Sequence, residues 1–465
     1  MPLPLPLRTA TCALVALAAL LVAAPRAAAQ AVSLVPPDAP ARYHALPPLR
    51  QQADEQLAWT RARLERVLPR LMADYDVPMW ILSMREYAED PVFFSMAAPT
   101  TFAARRRSIY VFTRQPDGTI ERLALGGGTQ GGLFQAFRSS RPAPTQETAE
   151  LWGDEQWRLL RELVEARDPA SIVLNIHEHH AFSDGLHAGE REALERALGP
   201  TYAARVKRDP RLAQDYIAVR VPEMLPRYRR IQETVHAILS EAFSNAVITP
   251  GTTTVDDVRW WLRERIQGLG MTTWFHPSVD VQRAVALPPG GATVIEPGDV
   301  LWVDFGVVAM GLHTDTQHMG YVLRAGEAAP PAGIRACLAV SNRLQDIVVA
   351  EMEPGRSGNA ILEAALARMR AEGIDGTVYG HPIGDHGHGA GPLIGRWDGQ
   401  EGVPHRGDVL LLPDTWHSVE LQATVPVPEW GGKRLSCRQE EEVLVGPDGK
   451  RTWAFRRQEG FHLVW

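Results

Sequence analysis

The chain has 465 residues, in which Lys and Arg total 48 against 55 Asp and Glu, giving a formal net charge of −7. Hydrophobic residues make up 45% and charged residues 22%, a balance typical of globular proteins that excludes a coiled coil, a collagen-like repeat and a wholly disordered chain. The mild acidic excess, without a sustained block of Lys or Arg, argues against nucleic acid as a partner. The length predicts two or three domains.

The first 29 residues have the pattern of an export signal. Arg8 supplies positive charge, residues 13–24 form an apolar run, and Ala27-Ala28-Ala29 offers the small residues that signal peptidase accepts. That run is too short to span a bilayer, which needs about twenty apolar residues. We therefore expect residues 1–29 to be a signal peptide, residues 30–52 to be a Pro-rich leader, and the mature protein to be exported to the periplasm or the medium with no membrane span.

The next segment alternates helices and strands. Apolar residues at helical spacing predict a helix within 53–74, and short apolar runs predict strands. The predicted strands are 79–84, 108–113 and 172–176, and the helices between them are 154–166 and 189–198. This alternation predicts an α/β first domain over residues 53–222.

A second domain is predicted over residues 225–465. Pro226 is well placed in the first turn of a helix, and Thr254 with Asp257 has the spacing of a capping box. Further helices are predicted at 332–350 and 357–372, among strands at 299–308, 313–323, 407–412, 417–427 and 435–446.

Two aspartates lie in one predicted hairpin. Gly311 can take the positive φ of a tight turn, and a symmetric turn between Ala309 and Met310 would place Asp304 opposite Asp315. Opposed side chains have Cβ atoms roughly 4.5–5.5 Å apart, so the carboxylates would repel unless a cation lay between them. The alternative is one exposed aspartate and one turn cap.

Three later segments carry further groups of ligand type. The Gly-rich segment 380–391 contains three histidines, a glutamate interrupts the apolar run 410–427, and three acids begin the apolar strand near 440. A glutamate inside a buried strand is costly unless it is paired or binds a metal. Taken singly, each is explained by a salt bridge or a surface position. The residues concerned are His381, His386, His388, Glu420, Glu440, Glu441 and Glu442.

In this order the residues resemble the ligand set of the pita-bread metallopeptidases, which include methionine aminopeptidase, Xaa-Pro aminopeptidase, prolidase and the metal-free creatinase. The resemblance implies an α/β creatinase-like N-terminal domain followed by an α+β pita-bread catalytic domain, and the two-domain form is similar to the Xaa-Pro aminopeptidase and prolidase branch. By position, the implied carboxylate ligands are Asp304, Asp315, Glu420 and Glu440, with Glu441 as the alternative to Glu440.

The histidine of the resemblance has two candidates. His388 matches the Gly-His-Gly-x-Gly pattern most directly, and His386 is the alternative. Family members also carry a histidine about 17 residues before the first aspartate, where this chain has Ala286-Leu287, and another seven residues after the ligand histidine, where it has Gly395 (or Leu393 if His386 is the ligand). The substitutes for these histidines are His276, His313 and His381.

The resemblance implies two divalent transition metal ions, Mn²⁺, Co²⁺, Fe²⁺ or Zn²⁺, with a bridging water activated for attack on a peptide carbonyl. Glu420 is the implied general base, His381 or His276 would stabilise the oxyanion, and Arg438 matches the family's arginine before the last glutamate. The expected function is an exported aminopeptidase or dipeptidase of Xaa-Pro type, a homodimer by resemblance. The alternatives are a metal-dependent lyase or amidinohydrolase acting on a non-peptide small molecule, and a binding protein that has lost turnover.

A separate cluster, His177-Glu178-His179-His180, has the composition of a metal site. Strand alternation would project only some of these side chains together, and no later residue lies at ligand spacing. The sequence predicts a solvated loop here.

Overall fold

The computed structural model describes residues 31–33, 35–125, 128–138, 155–285 and 293–465. The predicted signal peptide and the Ala286-Leu287 position lie outside the described residues. In the described part of the chain, no helix is long and apolar enough to cross a membrane.

The first sheet has six strands in the order β4-β3-β2-β1-β5-β6. The strands are β1 (Met79–Met84), β2 (Ser108–Arg114), β3 (Ile120–Leu125), β4 (Gln135–Phe137), β5 (Ile172–Leu174) and β6 (Val206–Lys207). All six residues of the central strand β1 are buried, and it pairs antiparallel with β2 and parallel with β5. A mixed sheet with helices on its faces confirms the predicted α/β class of this part.

Helices surround this sheet. They are α1 (Leu49–Ala62), α2 (Leu68–Asp74), α3 (Glu155–Arg167), α4 (Ala188–Ala203) and α5 (Arg211–Ala218). A π-helical turn, Arg63–Val67, joins α1 to α2. Such turns are rare and often occur at functional sites; this one begins with Arg63, which reaches the Gly-rich loop of the second sheet's domain.

The second sheet has nine strands, with the main order β12-β14-β15-β11-β8-β7. Its strands are β7 (Ser278–Gln282), β8 (Val300–Phe305), β11 (Thr316–Val322), β12 (Gly376–Val378), β13 (His381–Pro382), β14 (Thr415–Val427), β15 (Lys433–Val445), β16 (Arg451–Trp453) and β17 (His462–Val464). Two short strands, β9 (Val308–Ala309) and β10 (Leu312–His313), form a separate hairpin tip between β8 and β11. This mixed sheet with its helices gives the α+β pita-bread architecture that the resemblance implies.

The helices of this second part are α6 (Leu225–Ala242), α7 (Val255–Gly268), α8 (Ala332–Glu351) and α9 (Gly358–Ala371). The predicted capping box at α7 is confirmed, because the Thr254 side chain accepts from the Asp257 backbone and the Asp257 carboxylate accepts from the Thr254 backbone. The predicted strand at 407–412 is wrong. In this turn-rich segment only Leu410 makes a bridge, to Ser357, and its side chain is exposed.

The two parts share a continuous apolar core. One cluster of buried side chains includes Leu64 and Tyr110 beside the first sheet and Val303 and Val464 in the second. The domain limits at 222 and 225 therefore stay a prediction. The long hairpin of β14 and β15 pairs thirteen residues of each strand, and it supplies half of the polar positions described next.

Candidate metal centre

Four polar side chains form a row across four neighbouring strands. Asp304 on β8 lies opposite Gln317 on β11, Gln317 lies opposite Glu440 on β15, and Glu440 lies opposite Glu420 on β14. Directly opposed residues project to the same face of a sheet, and adjacent strands are about 4.7–4.9 Å apart. The row therefore places three carboxylates side by side on one face, although they lie far apart in the sequence.

A second row of polar side chains crosses the same sheet two residues away from the first row along the strands. Ser418 is opposite Glu442 on one side and His381 on the other, and the Asp315 backbone N–H donates to the Glu442 carboxylate over 2.7 Å. Ser418 and Glu442 lie two positions along their strands from Glu420 and Glu440, so they face the same way, and His381 shares this face because it is paired with Ser418. The two rows bring Asp315 and His381 to the carboxylates.

The side chains meet closely enough to share a metal. His381 Nε2 lies 3.1 Å from Glu440 Oε1, 3.6 Å from Asp315 Oδ2 and 4.0 Å from Glu420 Oε2. One ligand atom from each of Asp304, Asp315 and Glu440 also lies within 4.8 Å of the others. Ligands bound to one transition metal at about 2.0–2.2 Å are spaced in this way.

Unpartnered oxygens mark the same place. The Oδ1 atoms of Asp304 and Asp315 are buried and make no hydrogen bond with the described residues. A buried carboxylate oxygen without a partner is costly, and a bound cation would satisfy both atoms. The donor set of carboxylates and one imidazole therefore fits divalent transition metals.

The electrostatics of the site reflect the crowded carboxylates. Burial and the neighbouring Glu440 raise the pKa of Asp304 to about 7. The same two causes raise the pKa values of Asp315 and Glu420 well above their usual range. Burial disfavours a charged His381, but its hydrogen bond to Glu440 and the nearby carboxylates outweigh burial and raise its pKa to about 9. The carboxylates therefore stabilise a positive charge at this point of the site.

The structure adds His381 to the candidate ligand histidines, because it belongs to two of the groups that could hold a metal. His381 is held in the sheet by β13, and its Nδ1 lies 3.1 Å from the Pro382 carbonyl oxygen, to which it donates. That bond directs Nε2 at the carboxylates, as in many metal-bound histidines. His386 packs against Phe182 and His313 instead and joins none of the ligand clusters in the described residues. His388, by contrast, offers a ligand atom to the group that also contains Asp315 and His381. The ligand role therefore stays a prediction for His388 and has no support for His386, and the oxyanion role of His381 also stays a prediction.

His388 stands beside the ligand histidine. Its ring centre lies 4.7 Å from that of His381 and 5.1 Å from that of Trp274. His388 is seven residues after His381, the spacing that the family resemblance implies for its second histidine. With His381 as the ligand, His388 takes the place of this second histidine, whereas counting from His388 or His386 places it at Gly395 or Leu393.

The predicted hairpin register is also wrong, by one residue at the turn. Leu312 pairs with Ala309, so the turn residues are Met310 and Gly311, with φ values of 52° and 76°. Positive φ at both positions is the geometry of a type I′ turn, and methionine gives no signal for it. Asp304 consequently faces Gln317, while Asp315 reaches the site from the residue before β11.

The other predicted side chains differ in their distance from the cluster. Arg438 lies at its edge, 3.7 Å from Asp280 and stacked over the Trp302 ring at 4.6 Å, and its charge lowers the pKa of Asp304 against the larger effect of burial. His276 is exposed, lies near Trp260 and Arg263, and belongs to none of the ligand groups in the described residues. Its predicted catalytic role stays a prediction.

Glu441, the alternative to Glu440, points to the other face of β15. Its carboxylate contacts His236 and His318, which belong to a different cluster. Glu440 is therefore the last glutamate of the site. The loop at His177 and His179 contributes to a cleft that also contains His405 and Asp408, and among the described residues it joins no group with ligand spacing.

Two residues that were not predicted from the sequence, Gln317 and Ser418, complete the centre together with Glu442. Gln317 Nε2 donates to Glu440 over 2.9 Å and to Glu420, Ser418 Oγ donates to Glu440 over 2.6 Å, and Glu442 holds the Asp315 backbone. The alternation of β11 would have placed Gln317 on the face of Asp315, whereas nothing in the sequence distinguishes Ser418.

The loop after His381 is anchored by an ion cluster between the two parts. The Asp385 carboxylate accepts from Arg63 Nη1 over 2.7 Å, from Ser95 Oγ over 2.7 Å and from Arg220. Arg63 comes from the π-helical turn beside the first sheet, so the N-terminal part of the chain fixes the loop that carries His386 and His388. A neighbouring cavity of about 430 Å³ is lined by Trp59, Arg63, Phe94, Leu312, His313 and His386.

A pita-bread fold that gathers four carboxylates and one histidine on a single sheet face defines a metal-dependent enzyme. The model of metallopeptidase family M24 matches residues 227–447, the part that contains all five candidate ligands. This catalytic domain belongs to metallopeptidase family M24, and the protein is a metallopeptidase.

Solved structures share the architecture over most of the chain. The X-Pro aminopeptidase from Thermotoga maritima MSB8 superposes with a TM-score of 0.58 and 16% identity, covering 85% of this chain and 100% of that one. The Xaa-Pro dipeptidase from Bacillus anthracis gives 0.52 and 16%, covering 89% and 100%. The N-terminal domain of the FACT complex subunit SPT16 from Cicer arietinum (chickpea) gives 0.53 and 11%, covering 86% and 96%. At these identities the likeness shows the fold alone. No curated protein is significantly similar in sequence to the chain.

Proposed function

We propose that the protein is an aminopeptidase or dipeptidase that hydrolyses the first peptide bond of Xaa-Pro substrates with two divalent metal ions. The observation that carries the proposal is the convergence of Asp304, Asp315, His381, Glu420 and Glu440, each with a ligand atom aimed at the same space. The fold shared with an X-Pro aminopeptidase and an Xaa-Pro dipeptidase supports the substrate class.

Two ions suit the charge of the site better than one. Four carboxylates carry more negative charge than a single divalent cation neutralises. The ligand atoms fall into three overlapping groups: Asp304 with Asp315 and Glu440, His381 with Glu420 and Glu440, and His381 with Asp315 and His388. Glu440 belongs to the first two groups. Asp315 joins the first group and also lies 3.6 Å from His381 Nε2. Asp315 and Glu440 are therefore the residues that would bridge a metal pair.

Bound divalent ions supply a water of lowered pKa and polarise the scissile carbonyl. Glu420 has the position of a proton carrier, because its side chain is 17% exposed at the edge of the cluster whereas that of Glu440 is 1% exposed. Gln317 donates to Glu420 Oε1, which leaves Oε2 free to accept a proton and pass it to the leaving amine. His388, held between His381 and Trp274, is placed to donate to the substrate carbonyl.

The test measures hydrolysis of a peptide panel by the full chain after removal of metal and after addition of Mn²⁺, Co²⁺ or Zn²⁺. We expect cleavage of Leu-Pro and Ala-Pro peptides that is lost with chelator and restored by metal, with about two ions per chain. Cleavage of Leu-Ala but not Leu-Pro would reject the Xaa-Pro specificity. A metal-loaded chain that cleaves no peptide but converts non-peptide amides or amidines would support the lyase or amidinohydrolase alternative instead.

We propose further that the enzyme is exported after removal of residues 1–29 and acts as a homodimer. The basic residue, the apolar run and the Ala27-Ala28-Ala29 site support export. Expression of the full-length chain followed by cell fractionation and N-terminal sequencing tests it, and retention of Met1 in a cytoplasmic product would contradict it. Light scattering of the mature chain tests the homodimer, and a monomeric mass would contradict it.

A further inference from the structure

A second cluster of ligand-type side chains lies behind the hydrolytic centre. Because neighbouring residues of a strand face opposite ways, Glu441 points away from the face that carries Glu440. It meets His236 from α6 and His318 from β11, and these three side chains are only 2–3% exposed. The cluster is thus separated from the hydrolytic centre by the thickness of the sheet.

The donor atoms surround one point. His236 Nε2 lies 3.1 Å from Glu441 Oε2, and His318 Nε2 lies 2.9 Å from Glu441 Oε1. One ligand atom from each residue lies within 4.8 Å of the other two. Both carboxylate oxygens and two imidazole nitrogens therefore give four donors from three residues, the number that a closed zinc site requires.

The groups around the cluster are those that orient metal ligands. His318 Nδ1 lies 3.0 Å from His462 Nε2, so a metal-bound His318 would donate its remaining ring N–H to His462. The Gln458 backbone N–H donates to Glu441 Oε1 over 2.8 Å. These contacts fix the ring and the carboxylate in the orientation that ligation needs.

The buried charge of Glu441 also favours a bound cation. Within the described residues, the ion-pair partners of Glu441 are the two imidazoles, and the rings are as buried as the carboxylate. A buried carboxylate must be neutralised by a cation or by protonation. A divalent ion coordinated by both rings supplies that cation without requiring either histidine to be charged.

We propose that His236, His318 and Glu441 bind one zinc-like transition metal ion in a closed structural site, distinct from the hydrolytic pair. The ion would fasten α6 to β11 and β15, and through His462 it would also fix the C-terminal strand β17. Nitrogen and oxygen donors in a four-coordinate arrangement suit Zn²⁺, while Mg²⁺ and Ca²⁺ favour six or more oxygen ligands.

The direct test uses the wild-type chain and changes none of these residues. Crystals of the full mature chain are saturated with Zn²⁺, and anomalous diffraction is measured on both sides of the zinc absorption edge. We expect a peak between the two Nε2 atoms and Glu441, in addition to density at Asp315 and Glu440. Absence of the first peak overturns the proposal whatever is found at the hydrolytic centre, so the two metal assignments fail separately.

Metal content provides a second measurement. His318→Gln should lower the bound metal by about one ion per chain and should lower the melting temperature. The control is the same substitution at an exposed histidine, His187→Gln, which should change neither the metal content nor the melting temperature. Where His318→Gln does not fold, the diffraction result decides. A folded His318→Gln chain with unchanged metal content would show that the cluster is held by hydrogen bonds alone.

Discussion

Replacement of Asp385 by Asn tests the ion cluster that joins the N-terminal part to the histidine loop. The change keeps the side-chain shape but removes the charge shared by two guanidinium groups. Their side chains, those of Arg63 and Arg220, are only 4% and 2% exposed. Both would then be buried without their counter-charge, and the hydrogen bonds from Arg63 and Ser95 would lose their charged acceptor.

The expected cost follows from this burial. Removal of one partner from a buried ion pair typically costs about 3–5 kcal/mol. For a chain of 465 residues the melting temperature shifts by about 1 °C per kcal/mol, so it should fall by roughly 3–5 °C. The matched control is Asp398→Asn, because Asp398 also pairs with an arginine, Arg396, but at the surface with side chains 38% and 55% exposed. Such exposed pairs contribute about 0–1 kcal/mol.

Thermal unfolding of the two variants and the wild type, followed by circular dichroism at pH 7, measures the difference. Equal losses for Asp385→Asn and Asp398→Asn would refute the role of Asp385 as a buried anchor. A large loss for Asp385→Asn alone, with similar wild-type and control curves, is the expected result.

The difference in melting temperature between wild type and Asp385→Asn should depend on pH in a definite direction. Burial opposes ionisation of Asp385, but the charges of Arg220 and Arg63 outweigh it and hold the pKa well below its usual range. A depressed folded-state pKa stabilises the protein above the unfolded-state value of about 3.9. The difference in melting temperature between wild type and Asp385→Asn should therefore be full above about pH 5 and shrink as the pH falls below about 4. A difference that grows on acidification would contradict this assignment.

The remaining predictions concern the hydrolytic centre. Glu420→Gln should lower kcat of the metal-loaded enzyme by about 10²–10⁴-fold, because the amide cannot accept the proton. The control Glu401→Gln, at an exposed glutamate, should leave kcat unchanged. If kcat of Glu420→Gln stays within a few-fold of wild type, Glu420 is not the general base. His381→Ala should lower metal content measured by mass spectrometry, whereas His386→Ala should retain both ions, and the reverse order would return the ligand role to His386.

Much of the fold could be predicted because its signals are local. The central strand β1 coincides with the apolar run 79–84, and the Thr254–Asp257 capping box marks the start of α7. Segment 407–412 shows the limit of such signals. It contains an apolar run like that of a strand, yet it makes only one bridge, and its backbone hydrogen bonds go to the loop at 355–359 rather than to a neighbouring strand of the sheet.

The site was predictable for the carboxylates and less so for the histidine. Asp304, Asp315, Glu420 and Glu440 are recognisable by their order in the sequence. The choice among the histidines depends on pairing between strands, since only His381 lies in a strand opposite Ser418. The local pattern around His388 is the better match to a family motif, but this loop leaves the sheet before reaching that residue.

The three consecutive glutamates show how register assigns different tasks to identical residues. Glu440 and Glu442 face the hydrolytic side, where Glu440 meets Glu420 across the hairpin and Glu442 holds the Asp315 backbone. Glu441 faces the opposite side and meets His318. A shift of one residue in the pairing of β15 would exchange these faces, remove Glu440 from the metal ligands and bury Glu441 among the carboxylates. The pairing of β15 with β14 and β11 therefore determines both clusters at once, so a deletion within this strand should abolish hydrolysis and the back-face cluster together, whereas Glu441→Gln should leave the placement of Glu440 intact.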